Sequence, residues 1–145
     1  MGAVAESAAR RRLPGGITVL GAVMVAMAFA GLLNLLIWNL PAVHELLRKA
    51  DVPVNAWFGT PSFIVLMAVY AATAALSAFG LFQLKRWSVW AYTAWCASMA
   101  VIVAYGRMQE PGDLATANAI LGAVGSALFL LPCPYIARHT RGARD

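Results

Sequence analysis

The chain has 145 residues, of which 61% are hydrophobic and only 12% are charged, and its mean hydropathy is +0.72. A soluble domain typically carries about 25% charged residues, so this composition excludes an ordinary water-soluble globular protein. The formal net charge of +5 does not indicate a nucleic-acid partner, because the basic residues are grouped at the ends of apolar stretches.

Four apolar stretches fill most of the chain, at residues 17–38, 63–84, 87–105 and 114–136. A helix of about 20 residues crosses a hydrocarbon core of about 30 Å. Continuous apolarity excludes the alternating pattern of a membrane β-barrel. The sequence therefore predicts an all-α integral membrane protein whose first partner is the lipid bilayer. A four-helix domain over 17–136 is expected between basic tails at 1–16 and 137–145.

The distribution of basic residues predicts the orientation of the chain. Eight of the eleven Lys and Arg residues belong to the two tails and to the connection between the second and third stretches: Arg10, Arg11, Arg12, Lys85, Arg86, Arg138, Arg141 and Arg144. Since cytoplasmic segments carry the basic excess, we expect both termini in the cytoplasm and an up-down-up-down bundle. The excess of arginine over lysine and the abundance of alanine suggest a GC-rich bacterial genome, and we expect the protein in the inner membrane of a bacterium.

Aromatic residues support this arrangement, because Trp and Tyr prefer the membrane–water interface. They are expected at the outer interface at Trp38, Trp57, Phe58 and Tyr105, and at the inner one at Trp87, Trp90 and Tyr135.

The first outer connection, 39–62, predicts a short amphipathic helix in the interface. Asn39 can serve as its N-cap and Pro41 suits its first turn. Its apolar face would contain Val43, Leu46, Leu47 and Ala50. Thr60 and Pro61 are expected to open the second span.

A cleaved signal peptide is an alternative for the first stretch, because three arginines precede it and Ala28-Phe29-Ala30 resembles a cleavage site. The apolar run continues to Ile37, however. That length exceeds a signal-peptide core and favours a retained span.

Small residues recur at helical spacing in every span and predict close helix packing. The principal positions are Gly31, Gly80, Gly122 and Gly125. Two alanine faces allow the same interpretation, and they comprise Ala22, Ala26 and Ala30 on the first span and Ala68, Ala72 and Ala75 on the second.

A second interpretation of the same faces is a small polar pocket open to the outside. It would be lined by Asn34, Trp38, Tyr70 and Asn118, because each lies near the outer end of its span.

Catalytic and cofactor-binding patterns are not visible in the sequence. We expect Cys96 and Cys133 to lie at different depths, too far apart for a disulfide. His44 lacks the partners that a metal site requires. The two prolines of the Pro132-Cys133-Pro134 segment should break or kink the helix, and we interpret the segment as a span terminus near the cytoplasmic interface.

These observations favour a non-enzymatic accessory, assembly or scaffold subunit without cofactors. It would act through helix packing in a larger membrane complex or a homo-oligomer. The alternative is a small-ligand binding or transport module that uses the outer pocket.

Overall fold

The computed structural model describes residues 13–51, 57–108 and 115–140. Its elements are α1 (Gly15–Trp38), α2 (Pro41–Lys49), α3 (Pro61–Phe82), α4 (Ser88–Met108), α5 (Ala115–Ala127), a 3₁₀ turn (Leu128–Leu130) and α6 (Cys133–Thr140). Four helical stretches are long and apolar enough to cross a membrane, namely α1, α3, α4 and the segment Thr116–Thr140. The predicted all-helical fold with four candidate membrane-spanning helices is confirmed. Most of the basic tails, residues 1–12 and 141–145, lie outside the described ranges.

Local sequence explains where the helices begin. α3 has Pro61 at its first position, and the Thr60 hydroxyl accepts a hydrogen bond from the backbone N–H of Phe63 (3.3 Å), as predicted. The prediction that Asn39 caps α2 is wrong. Asn39 is instead the residue that ends α1, and its amide donates to the carbonyl of Leu35 (2.7 Å) within that helix.

The connection between α3 and α4 is a tight turn. The backbone N–H of Lys85 donates to the carbonyl of Gly80 (2.9 Å), and that of Leu84 donates to Leu81 (3.1 Å). Leu84 has φ = 54°, the left-handed conformation that glycine usually provides after a helix. A turn this short places α3 and α4 side by side in opposite directions.

Each long helix packs against the next one along the chain: α1 against α3, α3 against α4, and α4 against α5 and α6. Gly21 lies beside Phe82, whereas Gly31, further along α1, lies beside Tyr70. Sequence numbers thus rise along α1 as they fall along α3, so these neighbours are antiparallel. Tyr70 in turn contacts Trp95 of α4, with ring centroids 5.8 Å apart.

The helices share one main buried core. Its residues come from α1, α3, α4 and α6 and comprise Ile17, Met24, Ala28, Ala74, Ala78, Leu81, Tyr92, Trp95, Cys96 and Ile136. A second cluster contains Trp57, Phe63 and Met67. The outer surface is apolar as well, with Leu121 70% and Phe29 66% exposed. A continuous apolar surface would favour aggregation in water, and it matches a helix array surrounded by lipid.

Two predicted packing glycines lie where α3 meets its neighbours. A Cβ atom on Gly31 would approach the Tyr70 ring to 2.9 Å, and one on Gly80 would approach the Cβ of Ser88 to 2.8 Å. Both distances are shorter than real Cβ contacts. The absence of a side chain therefore sets how closely these helices approach.

The two glycines of α5 differ from one another. A Cβ on Gly122 would overlap the Cγ1 methyl of Val103 on α4, whereas a Cβ on Gly125 would meet nothing within 4 Å. Gly122 is therefore a packing position, and Gly125 lies on the open side of the helix.

The two alanine faces that the sequence offered for packing also point outwards. All six residues are exposed: Ala22, Ala26 and Ala30 on α1, and Ala68, Ala72 and Ala75 on α3. The opposite faces of the two helices form their contact, so these alanines remain available on the surface of the described chain.

We expect Gly122→Ala to lower the free energy of unfolding by about 1–3 kcal/mol, the usual cost of overpacking. The β-branched Val103 has little freedom to rotate away. Gly125→Ala is the matched control, and it should be neutral or slightly stabilising because alanine is the better helix former. Reversible unfolding in detergent micelles would measure both. Equal destabilisation by the two substitutions would contradict the assigned packing.

Candidate functional site

The fourth span is a broken helix. α5 ends at Ala127, and α6 begins at Cys133 after a 3₁₀ turn. Pro132 and Pro134 lack the N–H groups that would continue the helical hydrogen bonds. The predicted break of the helix at these prolines is confirmed, and a further helical stretch then continues to Thr140. Pro134 falls in the first turn of α6, where a proline needs no N–H.

The break frees the backbone carbonyl of Phe129, and α4 supplies hydrogen-bond donors for it. The Tyr92 hydroxyl donates to this carbonyl at 2.8 Å, and the Cys96 thiol lies 3.5 Å from it. In a regular helix the carbonyl would accept from the N–H four residues later, that of Cys133. An unpaired carbonyl costs several kcal/mol in lipid. The two donors therefore stabilise irregular backbone within the span.

The two cysteines lie closer in depth than the sequence suggested. The Cys133 sulfur is 3.7 Å from the hydroxyl oxygen of Thr93, which precedes Cys96 by only three residues on α4. An offset of three residues corresponds to about 4.5 Å of helical rise. The expected larger difference assumed that the fourth span ends near Cys133. Both residues are free thiols in this structure.

A pocket of about 150 Å³ opens between α4 and α5 beside the break, and it is lined by Thr93, Cys96, Ala97, Ala100, Ala123, Ser126, Ala127 and Leu130. Its polar groups are bonded within the protein, since Thr93 donates to the carbonyl of Val89 and Ser126 to that of Gly122, both at 2.9 Å. The walls therefore present mainly methyl groups. A space of this size and character accommodates an apolar group about as large as benzene.

At the other end of the helices, aromatic residues form an open cup of about 570 Å³. It is bordered by Trp38, Asn39, Pro41, His44, Phe58, Gly59 and Thr60. The Trp38 and Phe58 rings stack with centroids 4.3 Å apart. His44 Nε2 donates to the backbone carbonyl of Trp38 (2.9 Å), in the tautomer that protonates this nitrogen. This hydrogen bond ties α2 to the end of α1.

Trp57 joins this cup to the core. Its side chain is only 5% exposed, and its indole N–H donates to the Ser62 hydroxyl (3.1 Å). Its ring lies 5.2 Å from that of Phe63 and 5.1 Å from that of Tyr105, between centroids. The sequence placed Trp57 at an interface, whereas the structure also buries it as a packing residue.

Two residues of the predicted outer pocket, Asn34 and Tyr70, use their polar groups in contacts within the protein. Asn34 is exposed, and its amide donates to the carbonyl of Ala30 one turn earlier (2.9 Å). The Tyr70 hydroxyl lies 3.3 Å from the sulfur of Met27.

The four residues of that prediction do not line one common pocket among the described residues. Asn118 is exposed on α5, whereas Asn34 lies on α1, and the extensive contacts of α1 are with α3. Trp38 and Tyr70 both border the cluster of Trp57, Phe63 and Met67. Trp38 alone of the four lines the cup described above.

Sequence reasoning missed the pairing between Tyr92 and Phe129. The signal was the Pro-Cys-Pro segment, because two prolines within an apolar stretch free carbonyls that some neighbour must satisfy. The sequence could not name Tyr92 as the donor, because nothing in the local sequence sets how far α4 is shifted along the fourth span.

We expect Tyr92→Phe to lower the free energy of unfolding by about 1–2 kcal/mol, the value of a strong hydrogen bond between membrane helices. The substitution removes the hydroxyl that serves the Phe129 carbonyl and keeps the ring. Tyr105→Phe is the matched control, because the Tyr105 hydroxyl has no hydrogen-bond partner among the described residues. Unfolding of both variants in the same detergent tests the role of Tyr92, and equal losses would reject it.

Within the part of the chain that the structure describes, no three His, Cys, Asp or Glu side chains come together. No family model, curated protein or solved structure matches this chain.

Proposed function

We propose that the protein is a non-enzymatic accessory, assembly or scaffold subunit that binds another membrane helix through the outward face of α1. That helix would belong to a second copy of the chain or to a subunit of a larger complex. The proposal also includes a location in the inner membrane of a bacterium; the excess of arginine over lysine supports the bacterial origin alone.

The observation that carries this proposal is the position of Asn34. It follows Ala22, Ala26 and Ala30 at steps of four residues, and all four residues are exposed. Small residues let two membrane helices approach closely, and an Asn side chain can form a hydrogen bond between them. The Asn34 amide N–H bonds within its own helix, but that bond does not use its carbonyl oxygen. A polar group exposed to hydrocarbon is unfavourable, and a partner helix would relieve this cost.

The proposed topology is an up-down-up-down array with both termini in the cytoplasm. The antiparallel neighbours and the tight turn with Lys85 and Arg86 support this arrangement. α2 would then lie at the outer surface, next to the aromatic cup.

A binding or transport module is the second candidate. The specific observation that favours it is the cup at Trp38, which combines stacked aromatic rings with the polar side chains of Asn39, His44 and Thr60. Such a combination of apolar walls and few polar groups is typical of sites for small ligands. This function would not require the alanine face of α1.

Copurification from native membranes tests the main proposal. A tagged protein should retain a stoichiometric partner or an untagged second copy. Ala26→Leu should abolish this association by blocking close approach, and Asn34→Leu should weaken it about fivefold, as expected for one interhelical hydrogen bond. Ala94→Leu is the matched control, because it adds the same bulk at an exposed position of α4. Association that survives Ala26→Leu, or a protein that purifies without any partner, would reject the proposal and favour the binding module.

Reporter fusions test the topology. Fusions after Arg86 and at the C-terminus should both report the cytoplasm, and a fusion after Asp51 should report the outside, because basic residues stay on the cytoplasmic side. The fusion after Asp51 serves as the internal control for insertion. A C-terminal fusion that reports the outside would contradict the four-span topology.

A further inference from the structure

One end of the helix array carries a group of basic residues. The tight turn with Lys85 and Arg86 lies at this end, together with the start of α1 and the end of α6. A Cβ on Gly16 would reach within 2.6 Å of the Tyr135 hydroxyl, which places α6 beside the start of α1. The acidic residues in the described ranges, Glu45 and Asp51, belong to the opposite end.

A groove of about 580 Å³ runs along α6 at this basic end, lined by Leu131, Pro134, Tyr135, Ala137 and Arg138. The groove lies next to the break that precedes α6. Four of its five lining residues are apolar or aromatic, and the Leu131 side chain is 75% exposed. Arg138 follows Leu131 by seven residues, two helical turns further towards the end of the chain.

The Arg138 side chain makes no hydrogen bond or ion pair with any residue that the structure describes. Its neighbour His139 is already engaged, because its Nδ1 donates to the carbonyl of Tyr135 (2.9 Å) in the corresponding tautomer. A guanidinium group presents several N–H donors in a planar fork that fits two phosphate oxygens. Arg138 therefore combines unpaired N–H donors, among the described residues, with a position in the lining of this groove.

We propose that this groove binds an anionic phospholipid. The phosphate would pair with Arg138, and one acyl chain would lie along Leu131 and Pro134. Charge complementarity favours an anionic over a zwitterionic headgroup, because Lys85 and Arg138 lie at this end, whereas the carboxylates of the described ranges, Glu45 and Asp51, lie at the other. A soluble anion would satisfy Arg138 but would leave the apolar part of the groove uncovered, so the whole groove fits a lipid better.

Lipid retention by the full chain tests this proposal. The protein is reconstituted in vesicles of equal parts phosphatidylglycerol and phosphatidylcholine, extracted in mild detergent, and its retained lipids are quantified. We expect enrichment of phosphatidylglycerol, and Arg138→Gln should reduce that enrichment about fivefold, the effect of one basic residue near an anionic surface. Arg48→Gln removes the same charge at the opposite end and should leave the enrichment unchanged.

The controls separate lipid binding from other roles of Arg138. A cation near the end of α6 also stabilises the helix dipole, but that role would affect stability equally in either lipid and would leave lipid selectivity unchanged. Leu131→Asn should lower retention of phosphatidylglycerol by disrupting the apolar part of the groove while the charge remains. Equal retention of both lipids by the unmodified protein, equal losses with Arg138→Gln and Arg48→Gln, or full displacement of the lipid by millimolar inorganic phosphate would overturn the proposal.

Discussion

The constraint on which this structure depends is that backbone and side-chain polar groups in lipid must find their partners within the protein. The polar residues of the spans meet it mostly by bonding to their own helix. Thr73, Thr93 and Ser126 each donate to the carbonyl four residues earlier. Asn34 does the same. This local pairing lets polar residues occur in apolar helices without forming a shared polar site.

The broken fourth span is one exception to local pairing. Its Phe129 carbonyl receives its hydrogen bond from Tyr92 of a different helix. Register between α4 and the fourth span is therefore coupled to the position of the break. The apolar pocket beside Cys96 and the groove that contains Arg138 both lie near this break.

Size complementarity determines how the helices approach one another. Large rings fill the centre, with Trp95 1% and Tyr92 2% exposed, and small residues on the facing helices accommodate them. This packing leaves three buried donors without a described acceptor, namely the hydroxyls of Ser77 and Ser88 and the indole N–H of Trp95. The inward faces thus account for the fold, whereas the alanine face of α1 and the aromatic cup lie on the surface of the described chain.

The sequence alone determined the helical class, the number of candidate spans and most helix boundaries. These properties depend on local apolarity and on local capping groups, such as Thr60 and Pro61. It also identified Gly31, Gly80 and Gly122 as packing positions, but it could not separate Gly122 from Gly125, because helical spacing does not say which side meets a neighbour. The sequence predicted that Asn34 and Asn118 lie at the same depth. Only the tertiary structure showed that their helices, α1 and α5, are not principal packing partners. The partner that stabilises the break likewise required tertiary structure, since the donor comes from residue 92, far away in the sequence.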